Sequence, residues 1–140
     1  MPFLDKDRLL KEAAAVRRQA YCPYSNYAVG AALLTEDGAL FTGCNVENAS
    51  YGLTLCAERA ALAAAIAAGY RSFAALAVVA GGPALPCPCG ACRQVLHEFC
   101  PGDMPIYAAH PDTLSAADSV TLAELLPRAF CLQNRGTEGS

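Results

Sequence analysis

The sequence predicts an α/β domain, a three-layer α-β-α sandwich whose mixed central sheet is covered by helices on both faces. Three observations carry that expectation. Segments with helical periodicity alternate with short apolar runs in the order α-β-β-α-β-α-β. An Asp-Gly step joins the first two runs as a hairpin. At 140 residues the chain is long enough for one domain with its own core and too short for two. The domain is expected to span 1–140, with 135–140 as a frayed tail.

Each element has its own reason. Leu4 to Ala20 reads as an amphipathic helix, with Leu9, Leu10, Ala13, Val16 and Ala20 recurring near helical spacing. Tyr27 to Leu34 and Ala39 to Cys44 are strands on either side of the Glu36-Asp37-Gly38 turn. Cys56 to Ala68 is a helix of helix-favouring alanines, stopped by Gly69. Phe73 to Ala80 is a buried strand ended by Gly81-Gly82-Pro83. Cys89 to Phe99 is a third helix, followed by a strand at Ile106 to Ala109. Leu122 to Leu126 begins a short C-terminal helix. No internal repeat or interdomain linker is visible.

Composition narrows the function. Hydrophobic residues make up 54% and charged residues 16%, more apolar than a small monomer needs, which points to buried subunit interfaces or an alanine-rich core. The net charge of −3 disfavours a nucleic-acid partner, which would demand a basic surface. The basic residues Lys6, Arg8, Lys11, Arg17 and Arg18 interleave with Asp5, Asp7 and Glu12, as on a solvated helix face. The N-terminus has no continuous apolar region of a signal peptide, and Ala60 to Gly69 is far short of a membrane span. A cytoplasmic protein with reduced thiols is therefore expected, with Cys22, Cys44, Cys100 and Cys131 as small buried hydrophobes.

The chemistry concentrates in two fragments, Cys56-Ala57-Glu58-Arg59 and Pro88-Cys89-Gly90-Ala91-Cys92. A catalytic zinc takes three protein ligands and keeps its fourth position for water. Cys56, Cys89 and Cys92 can supply three thiolates, and Glu58 a carboxylate free to carry protons beside the metal. Both fragments open helices, whose positive ends favour thiolates. Arg59 and Arg93 lie close behind ligands and can donate to their sulfurs or simply face solvent. Cys87 leaves a second arrangement open, a closed structural site of four thiolates. The order C-x-E … P-C-x-x-C is that of zinc-dependent nucleobase deaminases with Cys as first ligand.

With Cys22-Pro23-Tyr24-Ser25, Val29-Gly30-Ala31-Ala32-Leu33, Gly43-Cys44-Asn45-Val46-Glu47-Asn48, Leu55 to Arg59, Pro88 to Gln94 and Leu125-Leu126-Pro127 in one order, the chain resembles the short, homotetrameric cytidine deaminases from about Tyr21 to Phe130. The resemblance implies one zinc per subunit on Cys56, Cys89 and Cys92, with Glu58 as catalytic proton shuttle. It implies ribose recognition by Asn45 and Glu47, whose amide and carboxylate suit sugar hydroxyls. It further implies base contacts from the backbone at Ala57, a substrate contact from Tyr27, and pocket residues Ala49, Tyr51 and Phe130 supplied by a neighbouring subunit. The chain departs from the family at Tyr27, usually Phe, at Cys131-Leu132, usually Gly-Pro, and at Cys87.

The implied reaction is hydrolytic deamination of cytidine and deoxycytidine in pyrimidine salvage, with activated water attacking C4. The expected partner is a small nucleoside, not nucleic acid or membrane, within a homotetramer. The rivals are a deaminase of nucleoside antibiotics, which the Asn45 and Glu47 pair disfavours, a nucleic-acid editor, which the charge disfavours, and a non-catalytic four-thiolate zinc module.

Overall fold

The computed structural model describes residues 5–132. Its elements run α1 (Lys6–Arg17), β1 (Val29–Thr35), β2 (Leu40–Cys44), α2 (Ala57–Ala67), β3 (Phe73–Ala80), α3 (Gly90–Phe99), β4 (Pro105–Ala109), β5 (Asp118–Thr121) and α4 (Leu122–Leu125). The five strands form one sheet in the order β2-β1-β3-β4-β5. The β3–β4 pair is parallel and the other pairs are antiparallel, so the sheet is mixed as expected.

The central strands are continuous apolar runs because both of their faces are covered. Ala31 and Leu33 of β1, with Leu76 and Val78 of β3, face α2 and α3 across a core that includes Ala61, Leu62, Ala65 and Leu96. The alternate residues Ala32, Leu34, Ala75, Ala77 and Val79 meet Leu9, Leu10 and Ala13 of α1 on the opposite face. This strict alternation along each strand produces the three layers.

Glycines set how closely helices approach the sheet. A Cβ on Gly30 would lie 2.0 Å from the Ala13 carbonyl oxygen of α1, and one on Gly43 would lie 2.4 Å from the Ala61 amide nitrogen of α2. At both positions only a missing side chain lets backbone rest on backbone. Gly38, with φ of 96°, takes the left-handed position that closes the β1–β2 hairpin.

Several boundaries differ from the sequence expectation. The first strand begins at Val29 rather than Tyr27, because the Asn45 side chain takes the backbone groups a neighbouring strand would have paired. Its Oδ1 accepts from the Val29 N–H at 2.9 Å, and its Nδ2 donates to the Tyr27 carbonyl at 2.8 Å. The first helix ends at Arg17, where the backbone tightens before Tyr21 pairs alongside Val46. Cys56 and Cys89 are N-caps of α2 and α3, not helical residues. Strand β5 was absent from the expected plan: Asp118-Ser119-Val120-Thr121 is a polar, half-exposed edge strand without an apolar rhythm. Leu4 and the expected tail at 135–140 lie outside the described residues.

Of the four cysteines expected in the interior, Cys100 is buried, while Cys22 and Cys44 are half-buried and Cys131 is exposed. Cys22 sits in the chain turn before β1 and Cys44 at the end of an edge strand, where the sheet covers only part of each. No helix among the described residues is long and apolar enough to cross a membrane.

Candidate active site

Two helix N-termini converge at the site. Cys56 and Cys89 occupy equivalent capping positions with extended backbones, φ −76° and ψ 151° for the first, φ −66° and ψ 168° for the second. The Cys56 sulfur makes no capping bond to its own helix, and it meets the Cys89 sulfur in the space between the two helices. Cys92, in the first turn of α3, points in from the third side and is fully buried. The three sulfurs lie within 4.8 Å of one another, and those of Cys56 and Cys89 are 3.8 Å apart. A tetrahedron with zinc–sulfur bonds of about 2.3 Å has an edge of about 3.8 Å, which the Cys56–Cys89 pair matches, so the donor set suits zinc.

The thiols oppose one another electrostatically. Burial pushes the Cys89 thiol up, but the Cys92 and Ala91 N–H groups and the neighbouring thiols outweigh it and hold Cys89 below its ordinary value. Cys92 is driven upward by burial and by the negative charges of Glu58 and Cys56. Three crowded sulfurs that cannot all ionise alone are what a bound divalent cation relieves, since a coordinating thiol gives up its proton.

Glu58 is the second residue of α2 and only 5% exposed. Burial raises its pKa, with its own backbone N–H and Arg59 pulling the other way. It lines a cavity of about 190 Å³ together with Tyr27, Val29, Asn45, Thr54, Cys56, Ala57, Val78, Pro86, Cys87 and Cys89.

The arginines divide in role. Arg59 donates from Nη2 to the Cys56 sulfur at 3.3 Å and to the Thr54 carbonyl at 3.4 Å, and the Cys56 contact keeps it firmly protonated. Its buried Nε has no hydrogen-bond partner among the described residues. Arg93, expected to serve a ligand sulfur in the same way, turns elsewhere. It bonds the Pro88 carbonyl at 2.7 Å, the Leu125 carbonyl at 2.9 Å and the Cys87 sulfur at 3.2 Å, because its position in the first turn of α3 aims it back along the preceding loop. Cys87 thus lines the cavity and accepts from Arg93 but stands outside the group of potential ligands among the described residues, which leaves the four-thiolate arrangement without support.

The Asn45-Val46-Glu47 segment is pinned between Tyr21 and Leu55 by paired backbone bonds. Asn45 is buried and reaches the cavity. Glu47 stands outside the cavity wall, its carboxylate held by the Tyr24 and Ser25 N–H groups at 3.0 and 3.2 Å and by the Ser25 hydroxyl. The Ser25 hydroxyl bond above all holds Glu47 below its ordinary pKa. Tyr27 is on the wall, its phenol pushed up by burial and then by Glu58, with Arg17 opposing. Ala49, Tyr51 and Phe130 do not line this chain's own cavity; Tyr51 is 74% and Phe130 67% exposed. Thr54 and Pro86 are wall residues that sequence reasoning passed over. Thr54 carried a weak signal as the residue leading into Leu55-Cys56, and Pro86 carried none beyond the Pro-rich loop.

Fold and site together define a class of protein, a three-layer α/β domain that gathers a thiolate metal site and a buried carboxylate at two helix N-termini. Residues 4–108 match the family model described as "Cytidine and deoxycytidylate deaminase zinc-binding region". A cytidine deaminase of Sporosarcina psychrophila is 50% identical over 127 residues, covering 91% of this chain and 92% of its own. The crystal structure of cytidine deaminase from Burkholderia pseudomallei superposes with a TM-score of 0.83 at 50% identity, covering 88% of this chain and 97% of that one. That of cytidine deaminase from Mycobacterium tuberculosis gives 0.80 at 45% identity, over 93% and 100%. The chain belongs to the cytidine and deoxycytidylate deaminase family.

Proposed function

We propose that this protein catalyses the hydrolytic deamination of cytidine and deoxycytidine, yielding the uridine nucleosides and ammonia. The observation that carries the reading is the meeting, on one cavity, of three sulfurs at zinc spacing and the buried carboxylate of Glu58. Cys56, Cys89 and Cys92 would hold one zinc per chain, which supplies the polarisation that makes water nucleophilic near neutral pH. Glu58 takes the proton released from that water and returns it to the leaving amine. Its buried setting raises its proton affinity toward the working range of such a shuttle.

The cavity, at about 190 Å³, is smaller than the roughly 300–1,000 Å³ of pockets for drug-sized ligands and suits a single heterocycle. The base enters it beside Tyr27 and reads the backbone at Ala57. The sugar stays at the mouth, where Asn45 keeps one amide hydrogen and one lone pair beyond its structural bonds. Glu47, oriented by Tyr24 and Ser25, keeps lone pairs for a second hydroxyl. Arg59 offsets the negative charge of the thiolates through Cys56. Ala49, Tyr51 and Phe130 complete the pocket of a neighbouring subunit in a homotetramer. The activity belongs to cytoplasmic pyrimidine salvage, with no nucleic-acid or membrane partner.

The test is the ultraviolet absorbance of cytidine with zinc-loaded protein, beside cytosine, adenosine and blasticidin. Loss of the cytidine signal alone is expected. Turnover of a different sample moves the substrate, and silence in all four with zinc bound overturns the reading.

A further inference from the structure

Arg93 joins three separate pieces of chain. It follows Cys92 in the first turn of α3, yet its guanidinium bonds the Pro88 carbonyl at 2.7 Å, the Cys87 sulfur at 3.2 Å and the Leu125 carbonyl at 2.9 Å. The first two belong to the segment that delivers Cys89, and both Cys87 and Cys89 line the cavity. The third is the last residue of α4, a helix of four residues whose C-terminal carbonyls lack intrahelical partners. Gln94, the next residue, donates to the Phe130 carbonyl at 3.1 Å, so the N-terminal half of α3 grips the C-terminal segment at two points.

We propose that Arg93 is a positioning residue that locks the Cys87-Pro88-Cys89 segment against α4 and thereby keeps the metal in place. The inference rests on the reading of Cys56, Cys89 and Cys92 as a zinc site. Cys89 lies at the end of an irregular stretch running from Gly81, with Pro88 as its one stiff neighbour. The Ala91 and Cys92 N–H groups favour the Cys89 sulfur from the helix side, while on the loop side its direction is kept only where the loop itself is tied down. The Arg93 fork does this by filling three acceptors from three directions at once. A lysine, with one compact charge on a flexible stem, can keep the charge but cannot fill that geometry. Its effect is therefore separate from that of Arg59, which touches the Cys56 sulfur directly.

The test is zinc release from the full-length, zinc-loaded protein into an excess of a chromogenic chelator. Wild type, Arg93→Lys and Arg93→Ala are compared, with circular dichroism confirming that each is folded. Both substitutions are expected to speed release about tenfold or more, the scale on which residues supporting metal ligands act. Cys87→Ala removes the weakest of the three contacts and is expected to speed release by less. Release from Arg93→Lys at the wild-type rate would mean that positive charge suffices, and would overturn the clamp. Should Arg93→Ala fail to fold, Arg93→Lys decides the question, since it retains both stem and charge. Wild-type protein that holds no zinc at all would overturn the metal reading itself, an outcome distinct from a clamp that makes no difference.

Discussion

Glu58 has the setting of a proton carrier, since its carboxylate is buried on the cavity wall beside sulfurs it does not need to join. Glu58→Gln keeps the shape and removes the proton traffic. It is expected to lower kcat by about 10²–10⁴ with zinc content unchanged, as read by steady-state assay and metal analysis. A variant with near-normal kcat would end the shuttle assignment. The same substitution is expected to raise the melting temperature of the metal-free protein at neutral pH. A folded pKa above the unfolded one gives stability that is full below the unfolded pKa and is lost as pH rises through the folded value, a loss glutamine does not suffer. Cys100 shows the same sign far from the site. Burial pushes its thiol up to about 12, so its contribution is complete below the unfolded thiol range of about 8.5 and falls away as pH climbs toward the folded value. Cys100→Ala should start from a lower melting temperature at pH 7 yet decline less between about pH 9 and pH 11. Parallel curves for the two proteins would show that Cys100 does not govern the alkaline limb.

At the scale of elements, α2 carries Glu58 and is capped by Cys56, and its height above the sheet is set by Gly43, where any Cβ would strike the backbone of Ala57 and Ala61. Gly43→Ala is expected to cost about 1–3 kcal/mol by overpacking, seen as a melting point lower by a few degrees per kcal/mol. Activity should fall more than stability does, because α2 must shift and takes the carboxylate with it. Unchanged melting and turnover would mean that α2 can slide freely. Elements buried on both sides were legible in the sequence: Phe73–Ala80 of β3 is bounded as expected, since a fully covered strand is a continuous apolar run that Gly81-Gly82 ends. Strand β5 was not, because an edge strand reading Asp-Ser-Val-Thr takes its conformation from pairing with β4 and not from its own pattern. A usable signal lay just beyond it, where Thr121 and Glu124 form a capping box that starts α4. The cysteines and Glu58 were readable because metal chemistry restricts both residue type and spacing. The partners of Arg93 were not, since Leu125 lies 32 residues away and is met through its backbone. No side-chain pattern records such a contact.

On the scale of the whole molecule, a single chain leaves apolar surface uncovered. Leu55, Leu62, Ala63, Ile66, Ala67, Val95 and Phe99 line an open groove between α2 and α3, and Arg59, whose buried Nε has no partner among the described residues, reaches the same groove. Tyr51, Leu53 and Phe130 stand exposed elsewhere, though the family resemblance assigns Tyr51 and Phe130 to a pocket. Apolar groups left in water on a chain with 16% charged residues are stabilised by burial against another copy, at about 25 cal/mol per Å². The proposed homotetramer would cover the groove and deliver the distant aromatics to neighbouring cavities in the same step. Ala67→Glu places a charge in the groove, on the exposed side of α2 and away from Cys56 and Glu58. In sedimentation velocity the wild type is expected to run as about four chains and the variant as smaller species. Turnover should fall at least tenfold with the change in size and recover in part at high protein concentration, because assembly follows mass action. A variant that dissociates yet keeps full turnover at every concentration would establish that one chain holds a complete site, and that Tyr51 and Phe130 belong to the surface alone.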